Sequence, residues 1–354
     1  MKTVNKNIFG LLIVTAVAFT ACKKDNDNDV DPEVLQSEIL ANIGDNVCTA
    51  SYIDMDAKAG ELQTSVNTLV VTTNDANLED ARKKWKAMRS TWEQTESWLF
   101  GPVEANNIDP RIDTWPVDFN QLDAILTGQD VLNDTYVDAL EDELKGFHPI
   151  EYLLWGKNGN KEATDFTVRE KEYLKALTQN LIKLTKEVKD TWLNGYNVQF
   201  KTAGAGSTEF STKQEAFQQV VDAMAGICGE VADAKIKEPF DAADPSKEES
   251  PFAKNSFTDF QNNIKGIMLI YQGKFAKDGK GLEDLVRQYN LSLDGEIKAK
   301  HAAALAALEA FGTKPFGEAI TTDHTKVQNA IDKIDELAEL LDGKLRNFVL
   351  KYTK

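Results

Sequence analysis

Cysteine and histidine are nearly absent, with three of each in 354 residues. A Cys-rich zinc site and a disulfide scaffold are therefore excluded. Proline (9) and glycine (21) are sparse, which rules out a collagen-like or low-complexity chain. Positive charge is short as well. Lys and Arg number 40 against 57 Asp and Glu, for a formal net charge of −17. A field of that sign repels nucleic acid and anionic lipid, so no nucleic-acid partner is expected. It does not discourage cations. The length fits about two domains of ordinary size.

One apolar run stands out. Ile8 to Ala21 carries no charge and follows Lys2 and Lys6. It is short for a bilayer span, which needs roughly 20 residues, and suits a signal-peptide h-region. The segment ends in Phe19-Thr20-Ala21-Cys22. Small residues before a Cys resemble the lipobox of bacterial lipoproteins. That resemblance implies acylation at Cys22 and a membrane partner through an N-terminal lipid anchor. The alternative is an ordinary secretory signal with an incidental Cys. A signal peptide over 1–22 and a disordered tether over 23–33 are the expectation. Lys23-Lys24-Asp25 resembles export signals of surface lipoproteins of the Bacteroidetes type. Cys48 and Cys228 could pair in an oxidising envelope, and the sequence leaves that open.

Proline breaks helix interiors, so its gaps mark where long helices run. No Pro falls between Pro32 and Pro102, between Pro149 and Pro239, between Pro251 and Pro315, or after Pro315. Apolar residues within these gaps follow helical spacing. Phe217, Val220, Val221, Met224, Cys228 and Val231 form one stripe. Tyr173, Leu177, Leu181, Leu184 and Val188 form a second, and Val327, Ile331, Ile334, Leu337 and Leu341 a third. Sustained period-2 alternation is missing. The expected fold is all-α, with two similar antiparallel domains resembling four-helix bundles. An N-terminal bundle is expected over 34–200 and a C-terminal bundle over 209–354. The small-residue stretch 201–208 looks like a linker.

Two constellations could carry chemistry in the first half. In Gly146-Phe147-His148-Pro149-Ile150-Glu151, Pro149 suits a first helical position. His148 would then be the N-cap, with Glu151 on the same face. The bland account is a cap in which Glu151 reaches back to the His148 backbone N–H. The functional account is a His–carboxylate pair for a metal or a proton. The electropositive helix start would keep Glu151 ionised and His148 neutral. The second constellation is Arg89, Glu93 and Glu96, spaced i, i+4 and i+7 among Trp85, Trp92, Trp98 and Phe100. An exposed row of this kind is a modest salt-bridge ladder. Among aromatics that favour burial, it must be paired or must bind something. Asp113 follows in a Pro-flanked loop with Trp115. The second half offers Glu248, Glu249 and Ser250, for which a solvated acidic loop is the bland account. Ser256 is the expected N-cap of a helix carrying Asp259 and Asn262.

The Gly146–Glu151 run resembles the GxHxxE signature of the imelysin-like family. Similar elements follow the family's order. They are Trp85-x3-Arg89-x3-Glu93-x2-Glu96, Phe100-Gly101-Pro102, Ile112-Asp113-x-Trp115-Pro116, and the run from Glu249-Ser250 through Ser256, Asp259, Asn262, Asn263 and Ile264. The resemblance covers roughly residues 35 to 350. It implies two helical bundles with a functional site where they meet, in a cell-envelope protein associated with iron uptake. It further implies His148, Glu151, Glu93, Glu96 and Asp113 as a metal or ligand site. Arg89, Trp115, Glu249, Ser250, Asp259 and Asn262 would support that site.

A mononuclear zinc hydrolase usually needs three protein ligands and an open position. Neither HExxH nor HxxEH occurs, since Tyr152 stands where a second His would be. A single His among carboxylates suits a harder, oxygen-preferring cation such as iron or calcium. The expected function is therefore non-catalytic binding of a metal ion or metal-bearing ligand, with iron the leading candidate. An envelope iron-transport partner and an outer-membrane location, periplasmic or surface-exposed, go with it. Metal-dependent endopeptidase is the runner-up, and a surface adhesin or glycan binder is the third reading.

Overall fold

The computed structural model describes residues 31–353. The expected signal peptide, the lipid-attachment residue Cys22 and most of the tether lie outside the described residues. All regular structure among the described residues is helical. Nine helices organise it: α1 (Pro32–Asn42), α2 (Ala50–Val71), α3 (Asp75–Thr95), α4 (Phe147–Trp155), α5 (Val168–Thr191), α6 (Lys213–Gly229), α7 (Ser256–Gln272), α8 (Leu291–Glu309) and α9 (His324–Leu340).

All three expected stripes face the interior. Tyr173, Leu177, Leu181, Leu184 and Val188 are buried on α5. Phe217, Val220, Val221, Met224 and Cys228 are buried on α6. Val327, Ile331, Ile334 and Leu337 are buried on α9. Local chemistry sets the starts. The Asn74 side chain accepts from the Asn77 N–H at 2.9 Å, and so turns α3 back against α2. Thr167 with Glu170, and Thr212 with Glu215, form capping boxes at the starts of α5 and α6. Four long helices pass through π-helical segments, among them Glu230–Lys237, which continues α6. Cys48 and Cys228 are both buried and unlinked. No helix among the described residues is long and apolar enough to cross a membrane.

Helices α2, α3 and α5 pack together in the first half, and α6, α8 and α9 in the second. Helix α7 lies against α8 on one side and α3 on the other, so it joins the two sets. Its sequence splits accordingly. Phe260, Ile264, Ile267 and Tyr271 give it an apolar face. Ser256, Asp259, Asn263 and Gly266, spaced i, i+3, i+7 and i+10, are all buried as a second, polar face. Gly266 lets α7 approach α3 closely. A Cβ there would sit 2.3 Å from the Gln94 carbonyl oxygen and 2.6 Å from Ser97 Oγ. The obstacle is backbone, which cannot rotate away. Gly266→Ala is therefore expected to destabilise the fold by about 1–3 kcal/mol through overpacking. The measurement is the urea midpoint at constant m-value. An unchanged midpoint would mean that the α3–α7 contact yields freely.

Candidate functional site

The site forms where the C-terminal half of α3 meets α7, and most of α3 is buried there, with Ser90 and Gln94 only half-buried. Arg89, Trp92, Glu93 and Thr95 are all inaccessible or nearly so. Charge at such a position must be compensated by partners rather than by water. The Arg89 guanidinium supplies the centre. Its Nη1 pairs with Asp113 Oδ1, and its Nη2 lies 2.6 Å from both Glu93 Oε1 and Glu249 Oε1. Nε is 3.7 Å from Asp259 Oδ1. Burial alone would lower the Arg89 pKa, but these four carboxylates together raise it well above its ordinary value.

Asp113 is the last residue of a short helix, Asp109–Asp113, rather than part of an irregular loop. Its carboxylate also accepts from Trp92 Nε1 at 2.6 Å and lies 3.1 Å from His148 Nε2. Burial opposes its ionisation. Arg89 and His148 outweigh that and hold it far below the usual carboxylate range. Gly146 makes the approach feasible. Its φ of 79° is a left-handed conformation, and a Cβ would fall 2.1 Å from the Ile112 carbonyl oxygen. The glycine of the GxHxxE element thus seats the start of α4 on the residue preceding Asp113.

The capping account of His148 and Glu151 fails. Helix α4 starts at Phe147, with Gly146 as its N-cap. Glu151 reaches forward to the second half of the chain, where its Oε1 accepts from the Ala253 N–H at 2.7 Å. Its Oε2 lies 3.3 Å from His148 Nδ1. The expected neutral imidazole is also corrected. Burial disfavours the imidazolium, but Asp113 and Glu151 on its two nitrogens raise its pKa to about 9. Two carboxylates at hydrogen-bonding distance outweigh the helix dipole, whose effect is a fraction of a unit charge.

The 248–250 stretch is not a solvated acidic loop, because Glu248, Glu249 and Ser250 are buried. The Ser250 hydroxyl donates to Asp259 Oδ2 at 2.6 Å, and Asn255 Nδ2 donates to Asp259 Oδ1 at 2.6 Å. The N-cap of α7 is Asn255, one position before the expected Ser256. Ser256 instead accepts from the Ser250 N–H and donates to Glu248 Oε2 at 3.0 Å. Trp115 stacks obliquely against His148, with ring centroids 6.3 Å apart. Asn262 points away from the acids, accepting from Gln94 Nε2 at 2.9 Å and donating to the Thr258 carbonyl. Its neighbour Asn263 takes the place in the site, donating to Glu93 Oε2 at 2.7 Å and to the Glu93 carbonyl at 3.0 Å.

Lys235 is the principal residue that sequence reasoning missed. It is buried on the π-helical continuation of α6, and its Nζ lies 2.7 Å from Glu96 Oε2, 3.0 Å from Glu249 Oε1 and 3.5 Å from Glu93 Oε2. A signal was present. Lys235 falls four residues beyond Val231, on the apolar stripe of α6, where a charge needs a buried partner. Burial works against its charge, yet Glu249, Glu93 and Glu96 raise its pKa well above the ordinary value. Burial and Glu93 in turn push Glu96 well up.

Glu93, Glu96, Asp113 and Glu249 each offer a carboxylate oxygen, and these four oxygens lie within 4.8 Å of one another. The donor set fits a hard cation, which prefers carboxylate and carbonyl oxygen. Glu249 Oε2 and Asn263 Oδ1 are buried acceptors without a hydrogen-bond donor. The buried acids Glu93, Glu96, Asp113, Glu151, Glu249 and Asp259 outnumber the buried cations Arg89, Lys235 and His148. Either some of these acids hold protons or a further cation joins them. The other described histidines take no part. His301 Nε2 lies 2.9 Å from the Ile264 carbonyl, and His324 packs on Phe240.

Protonation in and beside the site ties stability to pH. Burial, with Asp113 and Glu230 nearby, raises Asp109 to about 7. Burial likewise raises Glu248 to about 7 against the Ser256 hydrogen bond. Each group holds a proton in the folded chain at a pH where the unfolded chain has released it, so stability falls as pH rises. For the two acids the window runs from the ordinary carboxylate range to about 7. For His148 it runs from its ordinary value to about 9. The melting temperature is expected to decline between about pH 5 and about pH 9, and His148→Gln to flatten the upper part of that decline. A profile that climbs across this range would contradict these protonation states.

With the geometry in place, the likenesses to known proteins are informative. The Imelysin family model matches residues 48–342. "Iron-regulated protein A" of Synechococcus elongatus is 28% identical over 301 residues, which cover 83% of this chain and 79% of that protein. The crystal structure of an iron-regulated protein A precursor from Parabacteroides distasonis superposes with a TM-score of 0.82 at 25% identity, covering 93% of this chain and 97% of that one. An Imelysin-like protein from Psychrobacter arcticum shares the fold, with a TM-score of 0.73 at 14% identity over 90% of this chain and 96% of its own. The family match spans most of the chain and takes in both faces of the buried site, so this chain belongs to the imelysin family.

Proposed function

We propose that this imelysin-family chain binds a metal ion, or a ligand that carries one, in iron uptake. The observation that carries the reading is the buried set Glu93, Glu96, Asp113 and Glu249, whose oxygens converge within 4.8 Å. Packing alone does not gather four acids, since each costs desolvation and repels the rest. A cation relieves both. The relative named Iron-regulated protein A supports iron as that cation. Glu93, Glu96, Asp113 and Glu249 would hold the metal, while His148 and Glu151 orient Asp113 and the 248–253 stretch around it. The chain would be anchored at the outer membrane through acylated Cys22, facing the periplasm or the outside, and would work with an envelope iron-transport partner.

The endopeptidase reading gains no support from the same geometry. Both nitrogens of His148 face carboxylates, which favours the imidazolium over a metal-ligating or basic imidazole. Calorimetric titration with ferrous and chelated ferric iron tests the main reading. Wild type is expected to bind, and Glu93→Ala or Glu96→Ala to bind at least about tenfold more weakly, a difference of about 1.4 kcal/mol. Identical isotherms across the three proteins would leave the acids a structural role only. Proteolysis that disappears in His148→Ala would restore the peptidase reading. Anchoring has a separate test. Fatty-acid labelling and membrane retention are expected in wild type and absent from Cys22→Ser, and lipid incorporation that persists in the variant would refute it.

A further inference from the structure

The acid set is already served by a cation of the protein's own. Lys235 Nζ contacts three of its four members, Glu96, Glu249 and Glu93, at 2.7, 3.0 and 3.5 Å. A metal held by these oxygens would occupy the space next to the ammonium, and two positive charges in one buried pocket repel strongly. Two further oxygens, Glu249 Oε2 and Asn263 Oδ1, are fully buried and lack a donor, so Lys235 and Arg89 do not exhaust the acceptors of the pocket. The lysine also has somewhere to go. Its Nζ is 3.7 Å from Glu230 Oε1, on a half-exposed side chain at the edge of the pocket. Glu230 and Glu96 line one cleft of about 430 Å³, together with Glu104, Asp109 and Asp222. That cleft reaches the acid set at Glu96 and is itself acidic. An ammonium leaving Glu93 and Glu249 would find carboxylates along it.

We infer that Lys235 is the specificity-determining residue of this site: its tethered ammonium is the resident cation of the acid pocket, and a free metal ion enters only by displacing it toward the Glu230 cleft. The inference rests on the metal-binding reading above. A lysine offers one charge at one point. A divalent cation offers two charges and draws several oxygens to short bonds, so it can win the exchange, at reduced affinity. Weak or monovalent cations cannot. Lys235 therefore sets a threshold on what the pocket accepts.

The experiment uses Mn²⁺, whose free concentration is read by electron paramagnetic resonance, on wild type, Lys235→Met, Lys235→Gln and Lys235→Arg. Methionine matches the length of the stem without the charge. Glutamine supplies a second neutral variant should methionine compromise folding, which near-ultraviolet circular dichroism reports. The neutral variants are expected to bind Mn²⁺ at least about tenfold more tightly than wild type, and Lys235→Arg to stay as weak as wild type or weaker. Adding Glu93→Gln to a neutral variant is expected to abolish the gain. If wild type binds and the neutral variants bind equally or more weakly, the role of Lys235 is overturned while the metal site stands. If neither wild type nor any folded neutral variant binds Mn²⁺ or Fe²⁺, the metal reading falls, and the role of Lys235 falls with it.

Discussion

One guanidinium organises the centre of this molecule. Arg89 has no access to solvent, and its nitrogens face Glu93 on its own helix, Asp113 on the short helix that follows, and Glu249 and Asp259 from the second half of the chain. Arg suits the position because its charge persists when buried and its planar fork presents several donors in fixed directions. Three of the four acids are held in turn from behind: Asp113 by Trp92 and His148, Asp259 by Ser250 and Asn255, Glu93 by Asn263. Remove the guanidinium and four buried carboxylates lose their common counter-charge. The α3–α7 contact, the seat of α4 on Ile112 and the 248–256 stretch all border that centre.

The helices were legible because their apolar spacing carries the same information that burial does. Every residue of the expected α5 and α9 stripes is inaccessible or nearly so. The i, i+4, i+7 row of Arg89, Glu93 and Glu96 among tryptophans pointed to a buried, paired set, and the structure buries all three. Charge among aromatics is an energetic contradiction visible in the sequence, and pairing resolves it. The same argument applied to Lys235, on the stripe of α6, but its partners lie on α3 and on the 248–250 stretch, and no local spacing names them. Asn263 was hidden for a similar reason. One position separates it from Asn262, and which of the two enters the site depends on how α7 is rotated against α3.

Misreadings came from treating local rules as final. A Pro after His148 suggests a cap, and the helix dipole suggests a neutral imidazole. Both are weak forces compared with two carboxylates brought within about 3.3 Å of the ring. Glu248-Glu249-Ser250 looks solvated because two acids beside a Pro usually are. Here Glu249 finds Lys235 and Arg89, while Glu248 finds Ser256, so the stretch folds inward. In each case a residue distant in sequence supplied the partner that changed the outcome.

A buried ionic network is a poor way to stabilise a fold, since well-packed apolar residues of similar volume often do as well or better. Its composition is therefore the informative feature. A network kept only to specify how α7 docks on α3 would match its charges, because each excess acid adds desolvation and repulsion without adding specificity. This one has more acidic side chains than basic ones. The acids around Arg89, Lys235 and His148 exceed them, and burial pushes Glu96 and Asp259 toward their protonated forms. Glu249 Oε2 is left without a donor in the interior. Two members of the set reach cavities: Glu96 lines the acidic Glu230 cleft, and Glu249 lines a second, smaller cavity beside Trp115 and Phe252. A carboxylate surplus that reaches an acidic cleft is costly to folding and would serve a site that exchanges cations with its surroundings.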